Sequence, residues 1–212
     1  MSENNHPQQL MMLRRAAPIP VTPLKDGWTV RGMGEGEGAA WARICEGAGF
    51  FDSAEMGADE RWQAAMGSDP GVKTENVFFA CDPQGKPVAT AAARLIVGDE
   101  REKYPPTAHG LGYLHFVAAL PQSRGVGAGA AVTAAVLRRF EELGLPDCIL
   151  TTDDFRLPAI KIYLNLGWLP VLNGPDMRER WERVLAQLGI AGKTAAVEAN
   201  GEAAPPLAAQ RP

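Results

Sequence analysis

The chain has 212 residues, of which 46% are hydrophobic and 22% charged, and its formal net charge is −4 at pH 7. Such values are typical of a soluble globular protein, and they argue against the basic surface that nucleic-acid-binding proteins present. The three cysteines and three histidines show no spacing typical of a disulfide framework or a zinc site, so we expect no metal.

The two ends of the chain lack the pattern of packed secondary structure. Residues 1–23 contain four prolines and predict a disordered leader, and residues 191–212, rich in small residues and proline, predict a disordered tail. The interval 24–190 is then a single domain. The polar start lacks a secretory signal, and no apolar run reaches the roughly 20 residues of a membrane helix, so the expectation is a cytoplasmic protein without a membrane partner.

Between the ends, predicted strands and helices follow one another. The first half reads as a strand, two short helices and a β-hairpin: Trp28–Met33, Gly38–Gly49, Asp59–Gly67, Asn76–Cys81 and Pro87–Val97. The second half reads as a strand Tyr113–Leu120, a long helix ending at Gly144, a strand Cys148–Thr152, a helix Pro158–Leu166, a strand Trp168–Leu172 and a closing helix Arg178–Gly189. This order predicts an α+β fold with a mixed, mostly antiparallel sheet flanked by helices.

A glycine-rich turn, RGVGAG at Arg124–Gly129, stands between a predicted strand and the long helix. Helix N-termini expose unpaired N–H groups, and glycines allow an anion to approach them, so the turn predicts a phosphate-binding site. A nucleotide P-loop is excluded because no Lys-Ser or Lys-Thr follows. Two alternatives remain: a flexible turn that needs small residues for packing, and a dinucleotide site, since Gly125, Gly127 and Ala130 spell G-x-G-x-x-A.

Two motifs together resemble the GCN5-related N-acetyltransferases (GNAT superfamily). Arg124–Gly129 matches the pyrophosphate motif R/Q-x-x-G-x-G/A of that family. Leu157–Pro170 resembles its segment N-x-x-A-x-x-x-Y-x-x-x-G-F, with Ala159, Tyr163, Gly167 and Trp168 in place. The resemblance runs from about residue 24 to residue 172, and it is strongest from Tyr113 onward.

The resemblance implies acetyl-coenzyme A as co-substrate and direct transfer of its acetyl group to a primary amine of a small molecule or peptide. In that family the strand before the glycine turn splays from its neighbour. The main-chain groups of Val117 and Ala119 would then pair with pantetheine. The pyrophosphate would be held by Arg124 and by the turn amides, those of Gly125, Val126, Gly127, Ala128, Gly129 and Ala130.

The same resemblance assigns two catalytic candidates. Tyr163 matches the general-acid tyrosine, whose phenol stays protonated at neutral pH and can donate to the departing sulfur. His115 lies where some members have a catalytic histidine, and Tyr113, two residues earlier, shares its face of the strand. Each also has a plain packing interpretation. Arg156 stands where the family often has asparagine, and no glutamate occupies the usual base position.

Two further functions stay open from the residues: a catalytically silent coenzyme A-binding regulatory module, and an NAD(P)-dependent oxidoreductase. The acceptor determinants are expected in the first ~100 residues and in the loop 99–110, because loops carry such specificity. The family resemblance also allows a homodimer.

Overall fold

A computed structural model describes residues 8–51, 56–98, 104 and 111–208. The strands are β1 (Leu10–Arg14), β2 (Thr29–Gly32), β3 (Val77–Cys81), β4 (Pro87–Leu95), β5 (Gly112–Ala119), β6 (Cys148–Thr152), β7 (Leu169–Leu172), β8 (Lys193–Glu198) and β9 (Ala203–Ala208). The helices are α1 (Gly38–Gly47), α2 (Ala58–Trp62), α3 (Ala128–Glu142), α4 (Leu157–Asn165) and α5 (Met177–Gln187).

The nine strands form one sheet in the order β2-β3-β4-β5-β6-β1-β7-β8-β9. Only the pairs β5–β6 and β7–β8 are parallel among the described strands. The predicted mixed, mostly antiparallel sheet is therefore confirmed, and each element predicted between residues 28 and 189 forms with ends shifted by a few residues. The predicted helix 59–67 is α2 followed by one π-helical turn, Gln63–Gly67.

The alanine-rich strand β4 lies at the centre of the packing. Its Ala89, Ala91 and Ala93 face the buried side of α3, while Val88 and Ala92 face the cluster that contains α1. Small side chains on one face of a strand let a helix approach closely. Because successive side chains of a strand point to opposite faces, the residues between them lie on the other face. Helices therefore cover both faces of the sheet beside the site described below.

The predicted disordered leader is wrong for residues 10–14. These residues form β1, which lies between β6 and β7 and pairs antiparallel with both. Leu10 to Leu13 are apolar and buried because a strand inside a covered sheet is enclosed on both faces. The buried Arg14 donates from Nε to the carbonyl oxygen of Leu166 at 2.9 Å and from Nη2 to that of Ala17 at 2.7 Å, so its charge is satisfied by carbonyl groups.

The predicted disordered tail is likewise replaced by structure up to residue 208. β8 extends the sheet in parallel beside β7, and β9 pairs antiparallel with β8 at the edge. Pro205 and Pro206 are tolerated in β9 because an edge strand leaves one row of N–H groups without a ladder partner. The sheet therefore extends beyond both domain boundaries, 24 and 190, that composition predicts.

We expect Met12→Ala to lower the free energy of unfolding by about 2–5 kcal/mol, because Met12 is fully buried in β1 and truncation leaves a cavity. Val21 is 93% exposed and lies in the same N-terminal stretch, so Val21→Ala is the matched control and should be neutral. Urea unfolding measures both. If neither substitution changed the free energy of unfolding, residues 10–14 would belong to a disordered leader after all.

Candidate active site

The strands β5 and β6 separate along their length. They pair in parallel only at Gly112–Cys148 and Tyr113–Ile149, and no pairing follows in the remainder of the described strands. On its other side β5 carries a β-bulge: between the pairs Ala92–His115 and Thr90–Ala118 it has one residue more than β4. Phe116 in this bulge has φ +45°, and such bulges bend a strand away from its partner.

The separation leaves a free main-chain edge on β5. The amide of Leu120 donates to the carbonyl oxygen of Val88 in β4 at 2.8 Å. Because main-chain groups alternate in direction along a strand, Ala119 directs its N–H and C=O groups toward the gap, and Val117, in the bulge before it, lines the same gap. This is the position at which the sequence predicts pairing with an extended ligand.

The glycine turn follows as predicted, after one 3-10 turn at Pro121–Ser123. Gly125 and Gly127 have φ of +78° and +86°, the left-handed region that favours glycine. The first amide bonded to the helix is that of Ala131, which donates to the carbonyl oxygen of Gly127. No main-chain bond of the described turns and caps uses the six amides from residue 125 to residue 130 as donors, so they form a group of free N–H donors at the positive end of α3.

The two glycines differ in what surrounds them. A Cβ at Gly125 would meet no atom within 4 Å, whereas a Cβ at Gly127 would lie only 2.2 Å from the carbonyl oxygen of Pro23. The amide of Lys25 also donates to the carbonyl oxygen of Val126 at 3.1 Å. Packing therefore accounts for part of the glycine requirement at 127. At Gly125 the surface is open to solvent, and Arg124 beside it is exposed.

A cavity of about 220 Å³ occupies the gap between the separated strands. It brings together the two predicted catalytic residues and the predicted strand residue 117. Its lining consists of Gln9, Phe50, Tyr113, Leu114, His115, Phe116, Val117, Thr151, Thr152, Asp153, Arg156, Ala159 and Tyr163. We call this cavity the cleft.

Tyr163 reaches the cleft from α4. Its side chain is buried beside Trp168, with ring centroids 6.2 Å apart, and no described residue hydrogen-bonds its hydroxyl. Burial raises the pKa of Tyr163 well above the ordinary value, and the positive charge of Arg156 opposes part of that rise. The phenol therefore remains a protonated donor at every physiological pH.

His115 lines the cleft from β5, in edge-on contact with Tyr113 and Phe116 at centroid distances of 5.4 and 4.5 Å. Burial lowers the pKa of His115 to about 4, with a smaller contribution in the same direction from Arg94 and an opposing one from Asp69. The buried Arg94 pairs with Asp69 at 2.6 Å. His115 is therefore neutral above about pH 5, and an imidazole of this pKa is a weak base but a good hydrogen-bond acceptor.

The lowered pKa of His115 predicts a pH dependence of stability. The unfolded chain binds a proton near pH 6.5 and the folded chain only near pH 4, so stability falls as the pH drops from 6.5 to 4 and is constant above that window. The loss is at most about 3 kcal/mol. Urea unfolding across this window should show the extra loss in the wild type and not in His115→Asn. Parallel pH profiles for the two proteins would contradict the assignment.

A hydrogen-bonded row of side chains, which sequence reasoning missed, forms the wall of the cleft between β5 and β1. The Tyr113 hydroxyl lies 2.6 Å from Thr151 Oγ1, Thr151 Oγ1 donates to Gln9 Oε1 at 2.9 Å, and Gln9 Nε2 donates to Asp153 Oδ1 at 2.9 Å. Arg156 Nε donates to the other oxygen of Asp153 at 2.9 Å. We call these five residues the polar row.

Two signals in the sequence could have pointed to residues of this wall or to residues packed behind it. Arg94 interrupts the apolar run AAARLIV, and a charged residue in a buried strand requires a partner. Thr151 lies near the end of the buried strand β6, and Asp153 directly follows that strand. Gln9 gave no signal, because its role depends on contacts with residues 142 and 144 positions further along the chain.

Arg156, where the family pattern has asparagine, lies at the rim of the cleft. Its guanidinium is 4.1 Å from the ring centroid of Phe50, which follows α1. Both side chains line the cleft, so the contact joins the start of α4 to the segment after α1 there. The predicted acceptor loop 99–110 falls outside the described residues except for Tyr104.

A larger cavity of about 530 Å³ lies near the other edge of the sheet and includes the carboxylates Glu35, Asp59 and Glu75. It contains none of the predicted site residues. The rings of Trp62, Trp41 and Phe116, in edge-on contact with centroids 5.2 and 5.0 Å apart, lie between it and the cleft. We take the smaller cavity as the candidate site because Tyr163, His115 and the separated part of β5 line it.

The described residues contain no group of three or more His, Cys, Asp or Glu side chains that could hold a metal ion. Within the same ranges, no helix has both the length and the apolar composition that a bilayer crossing requires.

In the class of architecture that the fold and the cleft define, a separated pair of strands leads from a glycine turn with free amides to a buried tyrosine hydroxyl. Residues 42–168 match the family model described as the acetyltransferase (GNAT) family. The chain belongs to this family, as its two motifs predict.

Similar proteins agree with this assignment. Mycothiol acetyltransferase of Thermomonospora curvata is 31% identical over 163 residues, 75% of this chain and 51% of that protein. The enzyme of the same name from Pseudarthrobacter chlorophenolicus is 28% identical over 176 residues, 79% of this chain and 51% of its own. The chain thus spans about half the length of the curated relatives it matches.

A solved structure, a GCN5-related N-acetyltransferase from Sphaerobacter thermophilus, superposes with a TM-score of 0.57 at 19% identity, covering 76% of this chain and 47% of that chain. A second, from Kribbella flavida, gives 0.50 at 21% identity over 76% and 54% of the two chains. At such identities the likeness concerns the fold alone, and it confirms the GNAT fold.

Proposed function

We propose that this protein is an acetyl-coenzyme A-dependent N-acetyltransferase that acts on a primary amine of a small molecule or peptide. One observation carries the proposal: the free edge of β5 leads from the unpaired amides of the glycine turn to the hydroxyl of Tyr163. Membership of the acetyltransferase family supports it, as do the relatives named mycothiol acetyltransferase.

The described residues fit the coenzyme. The amides of Gly125 to Ala130, at the N-terminus of the 15-residue helix α3, would hold the diphosphate, and Arg124 would add a positive charge. The main-chain groups of Val117 and Ala119 would pair with the amides of pantetheine. Bound coenzyme supplies an acetyl group activated as a thioester.

In the proposed reaction the acceptor nitrogen bonds to the acetyl carbon and the carbon–sulfur bond breaks. Tyr163 would donate its proton to the departing sulfur, a role that its raised pKa permits because the phenol is always protonated. The proton lost by the amine would pass to His115 or to solvent. Since His115 has a pKa of about 4, we infer that it accepts an N–H hydrogen bond first and is only a weak base.

The competing functions have less support. The intact cleft, with Tyr163 and a free strand edge, favours an enzyme over a silent coenzyme A-binding module. A dinucleotide site is disfavoured because the 3-10 turn Pro121–Ser123 separates β5 from the glycines and because β5 pairs antiparallel with β4.

Calorimetry with acetyl-coenzyme A and with NAD, followed by a coenzyme A thiol-release screen over amines, amino acids, aminoglycosides, polyamines and peptides, tests the proposal. We expect binding of acetyl-coenzyme A, no binding of NAD, and amine-dependent thiol release. Binding without release across the panel would favour the silent module, and binding of NAD alone would refute the proposal.

A further inference from the structure

Arg156, at the rim of the cleft, has hydrogen-bond donors that the described protein does not use. Its Nε donates to one oxygen of Asp153 at 2.9 Å, and Gln9 donates to the other oxygen of that carboxylate. A guanidinium has five N–H donors, four of them on its two terminal nitrogens. No described residue accepts a hydrogen bond from those four. Because the side chain is only 26% exposed and lines the cleft, these donors favour a ligand that brings oxygen acceptors.

The guanidinium of Arg156 is held in place by two aromatic rings as well as by Asp153. Its central carbon lies 4.1 Å from the ring centroid of Phe50 and 5.5 Å from that of Phe155. Phe50 is itself in contact with Phe116 of β5, with centroids 5.4 Å apart. A guanidinium packed on aromatic rings keeps its fork of N–H groups for other partners, and the fork matches a carboxylate. Since the side chain is already restrained, a ligand loses little affinity to ordering it.

Arg156 lies away from the groups that would bind the phosphates of the coenzyme. The helix α4 approaches the glycine turn through Ile162, whose Cδ1 lies 3.2 Å from the Cβ position of Gly129. Ile162 follows Arg156 by six residues, which is about 9 Å along a helix. The partner of the guanidinium, Phe50, belongs to the segment after α1 and not to the turn. The charge of Arg156 therefore lies in the part of the cleft that remains for the acceptor when pantetheine occupies the edge of β5.

We infer that the terminal nitrogens of Arg156 bind a carboxylate of the acceptor, so that the amine substrate is an amino acid or another amine with an acidic group. This inference rests on the proposed function, since it specifies the acceptor of the same cleft. A carboxylate presents two oxygens to the guanidinium fork. A phosphate dianion fits less well, because Asp153 already supplies one negative charge to the same guanidinium. Phe50 is a positioning residue that holds the fork.

The test compares amino acids that have one to five methylene groups between amine and carboxylate with the corresponding amides, which are uncharged and nearly equal in size. Thiol release with saturating acetyl-coenzyme A at about pH 9, where part of the amine is neutral, gives the ratio of kcat/KM for acid and amide. We expect Arg156→Gln to lower this ratio about 10-fold at the chain length for which the wild-type ratio is highest. A general loss of structure or of amine reactivity affects both acceptors and cancels in the ratio.

Three further variants separate recognition of a carboxylate from a structural role. Arg138→Gln is the matched control, because it removes the same charge from an exposed position of α3 outside the cleft, and it should leave the ratio unchanged. Arg156→Lys keeps the charge and loses the fork, so it should retain part of the acid preference. Phe50→Leu should lower the ratio about 3-fold, because the guanidinium loses the ring that holds it.

An Arg156→Gln variant with an unchanged ratio would overturn the inference. So would a variant that loses affinity for acetyl-coenzyme A and keeps the ratio, because Arg156 would then bind the coenzyme. If the wild type acetylates neither series, NMR measures the Kd of the acids and amides for its complex with coenzyme A, and the same ratio is taken from these constants. Absence of binding, or a ratio that Arg156→Gln does not lower, refutes the subsite. Failure to bind acetyl-coenzyme A would refute the proposed function instead.

Discussion

Replacing Tyr163 with phenylalanine is expected to lower kcat by about 100-fold or more while the Kd for acetyl-coenzyme A stays unchanged. The substitution removes only the hydroxyl, which no described residue hydrogen-bonds and which faces the cleft, so the fold loses no internal bond. Without a proton donor, the sulfur must leave as a thiolate. Steady-state kinetics and calorimetry on the same preparation measure the two constants.

Trp168→Phe is the matched control for this experiment. It alters the ring against which Tyr163 packs, and it places at 168 the residue that the family more often has. It should keep most of kcat. If Tyr163→Phe transfers acetyl groups at the wild-type rate, Tyr163 has only a packing role and the general acid must be sought elsewhere.

Alanine at Gly125 or Gly127 should lower the affinity for acetyl-coenzyme A about 10-fold or more. Both positions have positive φ, so each variant also loses about 1–2 kcal/mol of stability. At Gly127 the loss should be larger, because the new Cβ would meet the carbonyl oxygen of Pro23 at 2.2 Å. At Gly125 the new methyl group meets only open space in the protein, so its effect on affinity reports directly on a ligand held there.

Gly144→Ala is the matched control. Gly144 lies just beyond the other end of α3, has φ +71°, and has no atom within 4 Å of its Cβ position, so it carries the same conformational cost far from the turn. We expect a similar loss of stability and an unchanged Kd for acetyl-coenzyme A. If Gly125→Ala binds acetyl-coenzyme A as tightly as Gly144→Ala, the turn is a packing feature and does not hold the diphosphate.

Most of the fold could be predicted because its elements carry local signals. Glycine at 144, proline at 158 and the apolar stripe through Val132, Val136 and Phe140 mark helices whose buried faces the structure confirms. The N-terminal strand could not be predicted in this way. Its four apolar residues are too short a run to separate a buried strand from other structure, and its place in the sheet depends on partners about 140 and 160 residues away.

The candidate site likewise contains residues that local sequence motifs predict and residues that only contacts between distant segments bring together. Tyr163, His115 and the glycine turn lie in continuous motifs, and the structure brings all three to the ends of one gap. Gln9, Thr151 and the Arg94–Asp69 pair were missed because each acts through a contact between distant segments. The pKa of His115 could not be predicted from the sequence either. An unperturbed value of about 6.5 suggests a base, whereas burial lowers the pKa to about 4.

A crystal structure of the complex with acetyl-coenzyme A would decide whether the gap between β5 and β6 is the coenzyme site. We predict diphosphate oxygens within hydrogen-bond distance of the amides between Gly125 and Ala130, pantetheine along the free edge of β5, and the thioester sulfur beside the hydroxyl of Tyr163. A coenzyme bound elsewhere, with the gap between β5 and β6 closed by side chains of the protein itself, would contradict it.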